Sequence, residues 1–319
     1  MTAPKVLVVG GTRFAGAALV GTLVERGAEV SVLSRRPPGR ADVEHIHAER
    51  ADGLKSLSGR SFDAAIDFIC YGHDELRSLT DNVDAGRYAV ISSAWMTRLA
   101  NIAADESVPS NLDGNIDLPS VTANYLHGKS EVEREAADLF RAGRPVFVVR
   151  APILWGLNDH TGRLAFYCRR LLDGGSLFLV DGGRNRAQVS WIGDIAAVLA
   201  LVLTEDYPEL KRHLIWETLS DEGHCVRDWV TMIAGAMNVN AKFADINAQF
   251  LSAHLPDYLD AEPLWREIAS PPTMHNLFTL CGLAPTSIKD WLSVSVTRPR
   301  NDDPLRAQER ELISGMRLQ

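Results

Sequence analysis

The chain has 319 residues, 46% of them apolar, with 33 Lys and Arg against 41 Asp and Glu and a net charge of −8. This length points to two lobes and this apolar content to a sizeable core, which excludes disorder as the main state. The mildly acidic balance gives no broad field for DNA, RNA or an anionic membrane, and no stretch reaches the roughly 18–20 apolar residues of a membrane span.

In chain order, Lys5–Val9 is a nearly continuous apolar run, the mark of a strand buried on both faces. Glycines follow, then a helix over about Arg13–Arg26, whose Phe14, Leu19, Leu23 and Val24 suit one face and whose C-cap suits Gly27. Ala28–Leu33 reads as a second strand, His45–His47 as a short third and Phe62–Ile69 as a fourth. His73–Val83 reads as a helix and Tyr88–Ser92 as a fifth strand. Thr97–Val121 breaks the rhythm with Pro, Asn, Asp and Gly, and is expected as a long loop over the sheet edge, the kind that serves as a lid or binding loop. A long helix over Thr122–Ala142 ends at Gly143-Arg144-Pro145, and Val146–Val149 is a sixth strand. Beyond Arg150 the pattern loosens. Helices are expected over Gly162–Asp173, Asp194–Leu203 (N-capped by Asp194), His224–Met237 and Ser287–Val296. Short strands at Leu177–Val180 and His213–Trp216 lie between them, and the charged tail Arg298–Gln319 reads as a frayed terminal helix.

Short apolar strands alternating with helices imply a parallel sheet covered on both faces. The expected fold class is therefore α/β, with a doubly wound parallel sheet over residues 1–152, completed in part by 186–217, and a smaller α+β lobe over 153–319. The N-terminal apolar run is too short for a signal peptide and lacks a cleavage site. Cys70, Cys168, Cys225 and Cys281 lie far apart, without CxxC or Cys/His ligand spacing. Reduced thiols, no metal site and a cytoplasmic location are the expectations.

The segment VVGGTRFAG, Val8–Gly16, stands where the first strand meets the first helix. Glycines at that turn let a backbone approach a pyrophosphate, and the helix N-terminus offers free N–H groups and partial positive charge. The spacing is Gly10-x-x-Arg13-x-x-Gly16, a three-residue glycine spacing with arginine in the middle place, and not GxGxxG. Gly10, Thr12, Arg13, Phe14 and Gly16 are thus read as dinucleotide-binding residues of a Rossmann-type domain. The second strand ends Ser34-Arg35-Arg36, where an NAD site would carry a carboxylate for the ribose 2′-hydroxyl. Guanidinium suits a 2′-phosphate, so NADP(H) is favoured over NAD(H), with Ser34, Arg35 and Arg36 as its readers and Arg13 able to join them. Glu49 or Asp52 is placed near the adenine.

Tyr125-Leu126-His127-Gly128-Lys129 puts a phenol and an ammonium four residues apart on one helix face. A lysine cation beside a tyrosine lowers the phenol pKa and makes it a usable proton donor and acceptor. The fifth strand ends at Ser92-Ser93, where ligands of doubly wound sheets sit, and a serine there can hold a substrate oxygen. Of the tryptophans, Trp95, Trp155 and Trp191 are the ones considered for stacking on a ligand. Arg163 and Arg186 are considered for gripping a diphosphate, and Gln188 is counted with Trp95, Trp155 and Arg163 as a substrate contact. No GxSxG elbow supports a hydrolase.

On these residues, the sequence resembles the extended and partly atypical short-chain dehydrogenase/reductase superfamily, in its nucleotide-sugar epimerase/dehydratase-like branch, over roughly residues 5 to 240. Gly10–Phe14 is similar to that branch's GGTRF-type phosphate loop, Ser92–Ala94 to its strand end, Tyr125–Lys129 to its YxxxK, and Val148–Gly156 to its sixth strand with an Arg-x-Pro turn. The resemblance implies that Tyr125 is the general acid/base, that Lys129 binds the nicotinamide ribose, and that Ser93 orients the reacting oxygen. It implies that Cys70 and Tyr71 line the cofactor, and that Ala151, Pro152 and Ile153 flank the nicotinamide. It also implies a homodimer through the helices near His73–Val83 and Thr122–Ala142. Ala94-Trp95 stands where sugar dehydratases carry an acidic pair, so elimination chemistry is not supported. The leading expectation is an NADP-dependent oxidoreductase acting on a carbonyl or secondary alcohol of a sugar nucleotide, nucleoside or natural-product intermediate. The alternative is an NAD(P)-dependent sugar epimerase using the same residues, and the third reading is a non-catalytic dinucleotide- or RNA-binding relative.

Overall fold

The computed structural model describes residues 2–99, 120–220, 223–267, 269, 275–299 and 303–316. The chain divides into two units. The first comprises Met1–Leu154, Ser190–Ser220 and Ser270–Pro285; the second comprises Trp155–Val189, Asp221–Ala269 and Thr286–Gln319.

The first unit runs β1 Lys5–Val9, α1 Phe14–Glu25, β2 Glu29–Ser34, β3 Glu44–His47, α2 Arg50–Ser56, β4 Ala64–Asp67, α3 His73–Asn82, β5 Tyr88–Ser93, α4 Trp95–Leu99, α5 Ser120–Arg141, β6 Val146–Ala151, α6 Ile192–Thr204, β7 Ile215–Glu217 and α7 Leu277–Cys281. Its sheet has the order β7-β6-β5-β4-β1-β2-β3, with every pair parallel. The winding reverses between β1 and β4, and the crevice beyond those strand ends is where such sheets take ligands. The apolar run of β1 serves two cores because successive side chains alternate faces. Val6 and Val8 pack with Leu19, Leu23, Leu199 and Val202 of α1 and α6. Leu7 and Val9 pack with Leu76, Leu79, Val132 and Ala136 of α3 and α5. The expected doubly wound α/β class is what forms.

Several boundaries differ from expectation, each for a local reason. The fourth strand is shorter than Phe62–Ile69. The Asp63 carboxylate accepts the Lys5 N–H at 2.7 Å, and the Asp67 carboxylate accepts the Ile69 N–H at 2.8 Å and closes the strand. The helix expected to be capped by Asp194 starts at Ile192, so Asp194 sits in its first turn. Residues 100–119 of the expected loop lie outside the described residues, and its two ends belong to α4 and α5.

In the second unit, strand Leu177–Val180 pairs in parallel with Phe243–Ile246. Helices Arg163–Leu172, Val226–Met237 and Ile288–Ser295 bring Tyr167, Trp229 and Trp291 around Trp155, with ring centroids 6.0, 5.2 and 6.3 Å from it. The tail, expected to fray, forms helix Pro304–Met316 with two buried charges. Arg306 donates to Asp173 at 2.6 Å, and Arg170 donates to Glu309 at 3.0 Å. Burial pushes the Asp173 carboxyl up, but hydrogen bonds from Arg306, the Gly175 N–H and Arg310 outweigh it and hold the group well below the usual range. Glu262, fully buried beneath the Tyr167 hydroxyl, is pushed up to about 7 by desolvation. Among the described residues, no helix is long and apolar enough to cross a membrane.

Candidate active site

The turn from β1 to α1 is tight enough to need its glycines. Gly10 has φ +84, and a Cβ on Gly16 would lie 2.6 Å from the Gly10 carbonyl oxygen. A Cβ on Gly11 would lie 2.8 Å from Val8 and 2.9 Å from Val20, so Gly11, not singled out from sequence, is what seats α1 on the strand. The Arg13 side chain makes no cap bond to α1, and no acidic residue stands in the first turn of the helix. Phe14, its first residue, has φ 46, backbone strain of a kind found at ligand sites. Thr12 is half-buried and Arg13 is exposed at this turn. A cradle that closes on its own backbone and ends at a helix N-terminus fits a diphosphate.

At the end of β2, Arg35 and Arg36 are exposed. Ser34 is not the free hydroxyl the sequence suggested. It donates its proton to the Arg36 carbonyl at 2.6 Å, and its oxygen lies 3.2 Å from His45 Nε2. A hydroxyl has one proton, so Ser34 shapes the turn. Glu49 stands just before α2, 3.8 Å from Arg35 through exposed atoms.

Lys129 is the most constrained member of the site. It is 2% exposed, and its Nζ donates to the Cys70 carbonyl at 2.8 Å and the Ile91 carbonyl at 2.7 Å. The ammonium lies 4.5 Å over the Tyr71 ring and 5.6 Å from the Tyr125 ring, and the two rings are 6.1 Å apart. Burial holds the Lys129 ammonium below its ordinary range, and the charges of Asp67, Glu75 and Glu133 offset only part of that effect. Burial and Asp67 push the Tyr71 phenol up, which keeps it neutral. Tyr125 is 39% exposed and so reaches solvent-borne molecules. Cys70 contributes its carbonyl and not its thiol, which is buried and pushed up to about 12, chiefly by desolvation. Ser93 is buried, accepts the Trp95 N–H at 3.3 Å and stands in register with Ala151 of β6. Lys129 thus ties α5 to β5 two residues before Ser93, which brings Tyr125, Lys129 and Ser93 to one strand end. Pro152 and Ile153 follow Ala151 directly.

Further features escaped the sequence. A Cβ on Gly128 would lie 2.1 Å from the Tyr71 carbonyl oxygen, so the glycine within YLHGK is what lets α5 approach the chain that holds Lys129. Beneath the site, Ser92, Arg150 and Glu217 stand side by side in register on β5, β6 and β7. Arg150 grips Glu133 of α5 at 3.0 and 2.7 Å and Thr97 of α4 at 3.1 Å; Ser92 donates to Glu133 at 2.6 Å and Thr97 to Glu217. A second buried pair, Arg50–Asp67 at 2.6 Å, closes the end of β4. Glu133 sits four residues after Lys129, a spacing the sequence offered without saying what it faced.

The expected substrate contacts differ in exposure. Trp95 is half-buried at the start of α4, and Arg163 is exposed at the start of its helix. Trp155 is fully buried in the aromatic cluster, and Gln188 is buried with its Cγ 3.0 Å from where a Gly223 Cβ would stand. Neither presents a surface for stacking or gripping, a correction whose cause is packing within the second unit. Trp191 lies folded over Gly193, where a Cβ would meet its ring at 2.5 Å.

No family model and no curated protein matches the chain by sequence. Solved structures match over nearly the whole chain. An epimerase from Methanothermobacter thermautotrophicus is 15% identical with a TM-score of 0.67, over 98% of this chain and 95% of that one. A dTDP-glucose 4,6-dehydratase from Bacillus anthracis, in complex with NAD, is 12% identical with a TM-score of 0.67, over 96% and 100%. A UDP-N-acetylglucosamine 4-epimerase from Bacillus cereus is 16% identical with a TM-score of 0.64, over 95% and 99%. At these identities the likeness establishes the fold.

Proposed function

We propose that this chain is a nicotinamide-dinucleotide-dependent enzyme acting at a secondary alcohol or carbonyl carbon of a small polar substrate. The observation that carries the reading is Lys129, buried and held by two carbonyls beside the half-exposed phenol of Tyr125. When bound, the dinucleotide takes up or gives the hydride. Gly10, Gly11 and Gly16 bring backbone N–H groups to its diphosphate. Tyr125 moves the hydroxyl proton, and the Lys129 cation stabilises negative charge on its oxygen. Ser93 orients the substrate oxygen.

Two versions of this chemistry are each favoured by one observation. The structures it resembles include an epimerase, a UDP-N-acetylglucosamine 4-epimerase and a dTDP-glucose 4,6-dehydratase in complex with NAD, which favours a sugar epimerase with retained cofactor. The exposed pair Arg35 and Arg36, with no carboxylate on that turn, favours exchangeable NADP(H) and net reduction. Fluorescence titration of stripped protein with NADPH and NADH side by side tests the shared reading, and cofactor retention through turnover separates the two versions. Tyr125→Phe is expected to bind dinucleotide as the wild type does and to lose turnover by about 10²–10⁴-fold. Binding of neither dinucleotide would withdraw the enzyme reading and leave a non-catalytic protein.

A further inference from the structure

We propose that His45, on β3, determines dinucleotide choice by locking the turn that presents Arg35 and Arg36. The inference rests on the NADP reading of that turn and concerns a residue that touches neither cofactor nor substrate.

The hydrogen-bond directions are forced. Ser34 Oγ gives its proton to the Arg36 carbonyl at 2.6 Å. It can then only accept, so the 3.2 Å contact with His45 runs from Nε2–H to the hydroxyl. The same Nε2 lies 3.2 Å from the Ser34 carbonyl oxygen. One imidazole N–H is thus shared between two oxygens of Ser34, and it remains a donor whether the ring is neutral or charged. The consequence falls on Arg35. The backbone is pinned on both sides of it, by the Ser34 carbonyl before and the Arg36 carbonyl after. Pro37 and Pro38 follow and stiffen the exit.

The geometry is not that of ordinary strand packing. His45 pairs in register with Val32, and Ser34 pairs with His47. The His45 ring therefore reaches two residues along β2 to its end, while His47 lies 5.6 Å away, tilted. The side chains of Arg35 and Arg36 remain exposed, with Glu49 near Arg35 as a loose screened partner at 3.8 Å. The 2′-phosphate is what distinguishes NADP from NAD, and guanidiniums serve it best when the backbone carrying them is already ordered. An unlocked turn would order only on binding, and only a ligand that uses the arginines would feel it.

Three probes test this by calorimetry on the full chain: NADPH, NADH and adenosine 2′,5′-bisphosphate. His45→Leu removes the donor, and His45→Gln keeps an N–H on a side chain of similar reach. The expected result for His45→Leu is binding about 5–10-fold weaker for NADPH and the bisphosphate, with NADH within about twofold. His45→Gln is expected to stay near wild type. Ser34→Ala, which opens the same junction from the other side, is expected to reproduce the selective loss and serves if His45→Leu does not fold. Equal losses for all three probes, or none, would overturn the proposal and leave His45 a packing residue. Should the wild type bind NADH as tightly as NADPH, the arginine reading itself fails before any variant is made, and the proposal falls with it. A wild type that prefers NADPH while His45→Leu and Ser34→Ala keep that preference sinks only the proposal.

Discussion

Gly128→Ala puts two effects of opposite sign in one substitution. In a helix interior, alanine is favoured over glycine by about 1 kcal/mol. At Gly128 the added Cβ would lie 2.1 Å from the Tyr71 carbonyl oxygen. That atom belongs to the backbone and cannot swing aside. Reaching the 3.4 Å of ordinary contact requires a shift of 3.4 − 2.1 = 1.3 Å. Overpacking of this kind costs about 1–3 kcal/mol. The shift also opens the gap bridged by the next residue, since Lys129 Nζ donates to the Cys70 carbonyl at 2.8 Å. Weakening that bond around a buried charge adds about 1–3 kcal/mol. Net of propensity, the variant should lose about 1–5 kcal/mol and bind dinucleotide more weakly. Gly21→Ala in α1 is the control, because its added Cβ meets only the flexible tip of Arg40 at 3.3 Å. It should gain up to about 1 kcal/mol. Urea unfolding of the three proteins and NADPH titration read both effects. A Gly128→Ala protein as stable as Gly21→Ala, with unchanged binding, would refute the claim that helix approach sets the site.

Glu133→Ala strands the buried Arg150 guanidinium and should destabilise by about 3–5 kcal/mol in urea; a loss under about 1 kcal/mol would mean the network is solvated. Arg35→Ala with Arg36→Ala should weaken NADPH by tenfold or more while leaving NADH nearly unchanged, and equal loss of both would remove the 2′-phosphate assignment. Glu262 supplies a pH test. Its folded value near 7 lies above the ordinary 4.5, so the unfolded chain releases this proton first as pH rises. Its stabilisation is complete below about pH 4.5 and is lost by about pH 7, at ~1.4 kcal/mol per pH unit. The wild-type minus Glu262→Gln stability difference should fall across that window, and parallel curves would contradict the burial of an ionisable carboxyl.

What could be read from the chain follows from range. β1, α1 and the YxxxK helix are written in local periodicity, and Tyr125, Lys129 and Gly10 fall out of their placement on it. The meeting of Arg150, Ser92 and Glu217 carries no local signal, because it depends on strand order and register between segments up to 125 positions apart, Ser92 to Glu217. Gly128 looked like part of a motif and proved to be a clearance. Trp155 was misread for the converse reason: a lone tryptophan suits a ligand wall or a core, and only its neighbours Tyr167, Trp229 and Trp291 decide. The Ser34 hydrogen bond to a carbonyl two residues on was not legible locally, since it depends on how the turn folds back.

The order in which the chain is made has its own consequence. The last strand of the sheet, β7, spans Ile215–Glu217 and pairs with β6. As the nascent chain leaves the ribosome, β6 therefore waits through some sixty residues of synthesis with its ladder unsatisfied, a few seconds at ordinary translation speed. During that interval the half-built sheet is a template for strands of other chains. Heterologous expression should thus be more sensitive to temperature and chaperone supply than the finished fold's burial would suggest, and truncation before Glu217 should yield aggregates in place of a free parallel-sheet unit.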